Sequence, residues 1–353
     1  MMDIKSTSST TAGNIRIGNN NLHLLLLASF CICSYSRNNS AKRRRTNKAP
    51  EVIRKIFHQN DQKWNQGRRK NIPYDVNEHP FEYYHRHGRS LANNMSKEDV
   101  YNPIRITFDV SNLDEHYSTA SEQDQMRIRA LMQEILPQTA KDLAEAISLA
   151  SVQGGIPIDP DDCWGVPPIS VAGDVYDTDL FIIVYAEAAL QKQTICCDKC
   201  GTLAAAAACS LDQFDRPVSG FINFCLNEIQ LSDDGQQIMQ DAIDETVDTA
   251  KHELTHVLGF HSEMYKYFRN PETGEPLTPR PFCESLVHCI DGAISSVELP
   301  STNTLQQRIT PSGDTVYYEI VTPTVLQVTR NQFDCQNATG ARLETHPTTL
   351  LYL

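Results

Sequence analysis

Two histidines four positions apart, with a glutamate between them, are the residues of this sequence best suited to chemistry. They occur in the segment His252-Glu253-Leu254-Thr255-His256. On a helix, residues four apart project from the same face, so both imidazoles can bind one metal ion. The carboxylate of Glu253 can then take a proton from a water molecule whose pKa the metal has lowered. The spacing therefore predicts one zinc ion per chain, with His252 and His256 as ligands and Glu253 as the catalytic base.

The spacing of apolar residues predicts two helices, one of which contains this motif. Residues Gln236–Leu258 are predicted to form one long helix that includes both histidines. Gly259 follows the second histidine by three positions, and we expect it to end the helix in a left-handed conformation. A second helical pattern covers Glu122–Leu149, and Pro137 is expected to kink or split that helix.

Strand patterns lie ahead of and between these helices. Apolar and polar residues alternate over residues 103–110, which predicts a strand. The continuous apolar run Asp179–Tyr185 is typical of a strand buried on both faces. Val218–Cys225 is predicted as a further strand, in which Gly220 marks a bulge or a close approach of another element. This order predicts an α/β fold with a twisted mixed sheet and an active-site helix packed on it.

Charge divides the chain into a basic leader and an acidic body. Residues 1–102 contain 17 Lys and Arg against 8 Asp and Glu. The whole 353-residue chain contains 31 Lys and Arg and 44 Asp and Glu, so the body after residue 102 contains 14 against 36. An acidic body argues against nucleic-acid binding, which needs a basic surface. The hydrophobic share of 40% suffices for a large core and excludes collagen, a coiled coil and wholesale disorder.

The basic leader contains a targeting pattern. The apolar run from Leu22 to Ile32 predicts the core of a signal peptide over residues 1–36, and it is shorter than the roughly 20 apolar residues that span a bilayer. A chance leucine cluster in a cytoplasmic protein is the alternative. Residues 37–102 are predicted to be a basic pro-segment or linker. Their basic runs, Lys42–Arg45 and Arg68–Lys70, are candidate processing sites.

Cysteines indicate an oxidising compartment. Nine of the eleven lie in the acidic body, a density that predicts disulfide bonds. The cluster Cys196–Cys200 holds one CxxC pair, whereas a structural zinc site needs two such pairs or a pair with histidines. We therefore predict disulfides that join this cluster and Cys209 to Cys163 or Cys225. A small Cys-rich zinc module is the alternative.

Several further segments occur in the order typical of one peptidase family. They are Asp177–Phe181, Ala204–Cys209, Gly220–Cys225, the helix-motif run His252–Phe260, Pro323–Cys335 and Gly340–Glu344. Through these segments the chain resembles the leishmanolysin-like peptidases, which include the invadolysins. The resemblance extends over residues 80–345. That family retains His-Glu-x-x-His-x-x-Gly-Phe and inserts a long segment before its third zinc ligand.

The resemblance implies a fold, an activity and a location. Residues 103–261 would form a metzincin-like catalytic subdomain and residues 262–353 a partial C-terminal subdomain. The implied activity is zinc-dependent endopeptidase hydrolysis of protein or peptide substrates, in a secreted or cell-surface protein. Membrane association and oligomeric state are left open.

The sequence departs from the family in the region of the third zinc ligand. Ser262 stands where short-spaced metzincins have their third histidine, and His261 would point in another direction. The family's own ligand segment and methionine turn follow Glu344, and neither is found; Met264 is too close to the helix for that role. His346 is the nearest substitute in order. We therefore expect a C-terminally truncated form with weak zinc binding, and the alternative function is that of a secreted binding or scaffold protein.

Overall fold

The computed structural model describes most of the acidic body and short parts of the leader. The described residues are 101–159, 162–163, 171–186, 201–270, 273–288, 294–310, 312–313 and 316–343, with the short segments 11–12, 15–17, 69–72, 189–190, 193–194 and 196. The α-helices in these residues are α1 (Ser111–Tyr117), α2 (Glu122–Ala130), α3 (Leu136–Ala146), α4 (Gln240–Val257) and α5 (Pro323–Gln332). None of the described helices is long and apolar enough to span a bilayer.

The strands are short, apart from three in the main sheet. In chain order they are β1 (Thr11–Ala12), β2 (Ile15–Ile17), β3 (Arg69–Lys70), β4 (Asn102–Pro103), β5 (Ile106–Asp109), β6 (Ile147–Leu149), β7 (Ile156–Ile158), β8 (Gly173–Val175), β9 (Leu180–Ala186), β10 (Ala189–Leu190), β11 (Gln193–Thr194), β12 (Ala204–Asp212), β13 (Pro217–Phe224), β14 (Glu284–His288), β15 (Ile294–Glu298), β16 (Leu305–Ile309), β17 (Val316–Ile320) and β18 (Ala341–Arg342).

The main sheet confirms the predicted α/β class. Its strand order is β3-β12-β13-β9-β5, with β9 parallel to both of its neighbours and β12 antiparallel to β13. Residues 180–185 of β9 are all buried, as the continuous apolar run predicted. Two smaller sheets have the orders β1-β2-β6-β4 and β16-β17-β18.

Helix α4 packs on the main sheet through one apolar face. Its buried residues recur three and four positions apart, as the apolar face of a packed helix requires, and share a core with β9 and β13: Ile243, Val247, Ala250, Leu254 and Val257. The acidic residues Asp241, Asp244, Glu245 and Asp248 lie on the exposed side of the helix. A separate, smaller core of Tyr265, Leu305 and Ile320 follows α4, with Phe260 packed against it.

Gly220 lies where α4 comes closest to the sheet. A Cβ atom at this position would be 2.6 Å from Cγ1 of Val257 and 2.8 Å from the carbonyl oxygen of Ala207. The pairing of β12 with β13 also shifts register between Ala208 and Ser210, beside this glycine. The sequence predicted a bulge or a close approach, and the structure has the close approach at Gly220 and the irregularity on the partner strand.

Gly220→Ala is expected to lower the free energy of unfolding by about 1–3 kcal/mol, because the added methyl group overpacks the helix against the sheet. Chemical denaturation measures the loss. Val257→Ala removes the nearest atom, so the double variant should recover part of it. If the two single losses simply add, the helix contact is not the cause.

The helix predicted over Glu122–Leu149 is divided, and its end was predicted wrongly. Pro137 lies in the first turn of α3, and a π-helical turn, Leu131–Ile135, precedes it. Proline lacks the N–H that an α-helix interior needs, so a change of helix at this point is expected. Ile147–Leu149 forms β6 instead of helix, because it pairs with β2 and β4. Ile147 and Leu149 are both buried in this extended conformation.

The helix predicted over Gln236–Leu258 begins four residues later than expected. Residues 231–238 form a tight turn in which the Ser232 amide donates to the Gln237 carbonyl at 2.8 Å, and Leu231 and Ile238 form an isolated bridge. Gly235 has a φ of +66°, which suits this turn and not a helix. Helix α4 therefore begins at Gln240.

Two disulfides join cysteines of the groups that the sequence predicted to bond. Cys163 bonds to Cys209 and Cys196 bonds to Cys225. This confirms the predicted disulfides at Cys196 and Cys209 and removes both from the ligand set of a Cys-rich zinc module. Cys283 and Cys335 are exposed thiols.

Candidate metal centre

Helix α4 brings the two predicted zinc ligands together. The Nε2 atoms of His252 and His256 are 3.1 Å apart, and the two rings are close to perpendicular at 85°. Two imidazoles on a tetrahedral zinc ion place their nitrogens roughly 3.3 Å apart. The donor pair therefore fits one such ion. Both residues lie in the last turns of α4, where the negative end of the helix dipole favours a cation.

The end of α4 orients the second histidine. The amide of Gly259 donates to the His256 carbonyl and the amide of Phe260 donates to the Thr255 carbonyl, which is the hydrogen-bond pattern of a Schellman cap. Gly259 has a φ of +123°, a conformation that L side chains rarely adopt. The predicted glycine stop is therefore confirmed, and it turns the chain back toward His256.

This turn places a carbonyl against the imidazole of His256. The Nδ1 atom of His256 is 2.7 Å from the Phe260 carbonyl oxygen. Because a carbonyl can only accept, Nδ1 carries the proton and the lone pair of the neutral ring is on Nε2. Metal-binding histidines commonly have such a partner on their second nitrogen. Sequence reasoning identified Gly259 but not the Phe260 carbonyl; a glycine three residues after a candidate ligand is the signal that could have suggested it.

The predicted base lies on the same stretch of helix. Glu253 is half-buried and lies three positions before His256, so the two side chains are neighbours on the helix surface. The structure thus brings His252, His256 and Glu253 to one part of α4.

A buried lysine next to the motif ties α4 to α3. The ammonium nitrogen of Lys251 is 3.0 Å from a carboxylate oxygen of Asp142 on α3 and 2.7 Å from one of Asp248. Lys251 is itself buried, so the pair with Asp142 compensates its charge. Sequence reasoning missed this lysine, because Asp142 is 109 residues away in the chain.

The described residues after the helix do not complete the site. The Nδ1 atom of His261 is 3.4 Å from the amide of Glu263. Burial lowers the pKa of His261 to about 4, with a further contribution from His256, so its ring is neutral at neutral pH. Met264 is buried with Leu211 and Tyr267 in a small cluster of its own. In the part of the chain that the structure describes, no group of three His, Cys, Asp or Glu side chains could hold a metal ion.

The remaining candidate for the third ligand is His346. It lies outside the described residues, as does Glu344. His346 therefore stays a prediction from sequence order.

Comparison with known proteins assigns the family. The sequence model of the leishmanolysin family of peptidases matches residues 115–349, about two thirds of the chain. The chain belongs to the leishmanolysin family. The leishmanolysin-like peptidase of Drosophila pseudoobscura pseudoobscura is 31% identical over 163 residues, 43% of this chain and 22% of that protein.

Two further relatives are also named as peptidases. The leishmanolysin-like peptidase of Caenorhabditis elegans is 31% identical over 176 residues, 48% of this chain and 25% of that protein. The ciliated left-right organizer metallopeptidase of Mus musculus is 34% identical over 85 residues, 24% of this chain and 11% of that protein. The matched part thus spans a quarter or less of the length of these relatives.

Proposed function

We propose that this leishmanolysin-family chain is a zinc-dependent endopeptidase that hydrolyses peptide bonds. The observation that carries the proposal is the imidazole pair of α4, whose Nε2 atoms face each other at 3.1 Å with Glu253 beside them. A pair held at this spacing has the donor chemistry of a zinc site. The names of the relatives as peptidases support the same activity.

The residues of α4 would have two roles, metal binding and proton transfer. His252 and His256 would hold the metal, and the Phe260 carbonyl would keep the Nε2 atom of His256 unprotonated for this purpose. Zinc, when bound, supplies a Lewis acid that lowers the pKa of water to near neutrality. The Glu253 carboxylate would accept the proton of the attacking water and return it to the nitrogen of the leaving amine.

The domain organisation and location are part of the proposal. Residues 103–261 would be the metzincin-like catalytic subdomain and residues 262–353 a partial C-terminal subdomain, a division that fits the separate core around Tyr265, Leu305 and Ile320. The two disulfides suit a secreted or cell-surface protein, since such bonds persist in oxidising compartments. A secreted binding or scaffold protein is the second candidate, because the described residues supply two ligands and a catalytic zinc normally has three.

Chelation and zinc return test the proposal. Hydrolysis of an internally quenched peptide library by the purified chain should stop when a chelator removes the metal and resume when zinc is added back. Cleavage sites identified by mass spectrometry should be internal. Hydrolysis that survives complete removal of zinc contradicts the proposal, and a chain that neither retains zinc nor hydrolyses the peptides favours the scaffold function.

A further inference from the structure

Four residues of the basic leader lie on the acidic body. Arg69 and Lys70 form β3, which pairs in parallel with β12 at Leu211 and Asp212. Two residues later, Ile72 is only 2% exposed and belongs to the core cluster that contains Cys163 and Cys209. We call residues 69–72 the strap. The strap adds an edge strand to the main sheet and inserts an apolar side chain into the body.

A side-chain amide of the body extends this strand pairing. The amide of Ile72 donates to Oε1 of Gln213 at 2.8 Å, and Nε2 of Gln213 donates to the carbonyl of Ile72 at 2.8 Å. Gln213 thereby satisfies both backbone groups of one residue, as a paired strand would. Because both hydrogen bonds are made to backbone groups of the strap, they do not depend on which side chains the strap carries.

Charge pairs hold the two basic side chains of the strap. The ammonium nitrogen of Lys70 is 2.8 Å from a carboxylate oxygen of Asp162, and the Lys70 side chain is only 15% exposed. The guanidinium of Arg69 pairs with the buried carboxylate of Asp215 and also lies 5.6 Å from the centre of the Tyr267 ring. Both basic side chains are therefore occupied by partners on the body.

Asp215 and Asp162 each have partners on the body besides the strap. Asp215 also pairs with Arg280, and Arg269 lies 3.8 Å from it. Asp162 also accepts the amide of Asp159 at 3.0 Å. Release of the strap therefore leaves neither buried carboxylate without a partner, so the strap can open without unfolding the body.

We propose that residues 69–72 act as a strap that locks the basic leader onto the body and protects the Arg69–Lys70 pair from trypsin-like processing enzymes, although the Arg69 side chain is 40% exposed. Such enzymes take an arginine or lysine side chain into an acidic pocket. While Asp162 and Asp215 hold these side chains, and β12 and Gln213 hold the backbone, the pair is cleaved only from the open state. The rate of cleavage then follows the population of that state. This role does not depend on zinc or on peptidase activity.

Limited digestion of the full chain by trypsin, with fragments mapped by mass spectrometry, tests the strap. Cleavage after Arg69 and Lys70 should be much slower in the folded chain than in the same chain unfolded in urea. Gln213→Ala removes two hydrogen bonds and should accelerate cleavage at these two positions about tenfold. Asp162→Asn, which removes the charge partner of Lys70, should act in the same direction. Gln307→Ala and Asp233→Asn, at exposed positions on the body, are the matched controls and should leave it unchanged.

Two results overturn the strap. One is cleavage after Arg69 and Lys70 in the folded parent at the rate of the unfolded chain. The other is an Ile72 amide that exchanges its hydrogen in the parent as fast as an unstructured peptide does. The exchange measurement needs no variant, so it decides the matter even if Gln213→Ala accelerates cleavage everywhere by destabilising the fold.

Discussion

Glu253→Gln is expected to lower kcat for peptide hydrolysis by about 10²- to 10⁴-fold while the protein keeps its zinc. The amide has the shape of the carboxylate but cannot accept a proton, and loss of general acid–base catalysis typically has an effect of this size. Since Glu253 is assigned as base and not as ligand, zinc content should be unaffected. Steady-state kinetics on a quenched peptide and metal analysis of the same sample give both values.

Glu245→Gln is the matched control for this experiment. It lies on the same helix two turns earlier and is exposed, so its replacement should leave both kcat and zinc content at the parental level. A Glu253→Gln variant that retains most of the parental kcat would remove Glu253 from the mechanism. A variant that loses zinc with activity would make Glu253 a ligand instead.

His256→Ala is expected to weaken zinc binding by on the order of a hundredfold. Complete zinc sites bind with roughly 10–16 kcal/mol, so each ligand accounts for about 3 kcal/mol. Competition with a chromophoric chelator measures the affinity. His116→Ala, at a half-buried histidine on α1, is the control and should bind zinc as the parent does. Equal affinity in His256→Ala and the parent would show that the metal, if bound, lies elsewhere.

The same titration on His346→Ala addresses the third ligand. If His346 completes the site, its loss should resemble that of His256. If affinity is unchanged, the two histidines of α4 bind the ion without it, which agrees with the weak binding expected from the sequence.

Sequence patterns predicted the elements whose signal is local. The apolar run of β9 and the spaced apolar face of α4 each depend on neighbouring residues, and both elements are present where predicted within a few positions. The motif of α4 was predictable for the same reason, since a helix alone brings His252 and His256 together.

Features that depend on distant partners were missed or predicted wrongly. Ile147–Leu149 continues a helical pattern but pairs as a strand with residues far away in the chain. The Lys251–Asp142 pair and the strap on β12 join segments more than 100 residues apart. Local patterns carry no information about which distant segment supplies the partner, so tertiary pairing overrides them.

Phe260 makes the candidate metal centre the junction between two independently packed regions. Its carbonyl orients His256, while its side chain packs on the core of Tyr265, Leu305 and Ile320. If His256 binds zinc as proposed, the binding energy that zinc gains from its orientation would be shared with that second core, and this coupling must be reciprocal. Substitutions in the second core would then change metal affinity without altering a ligand, and metal binding should in turn raise the resistance of that region to hydrogen exchange.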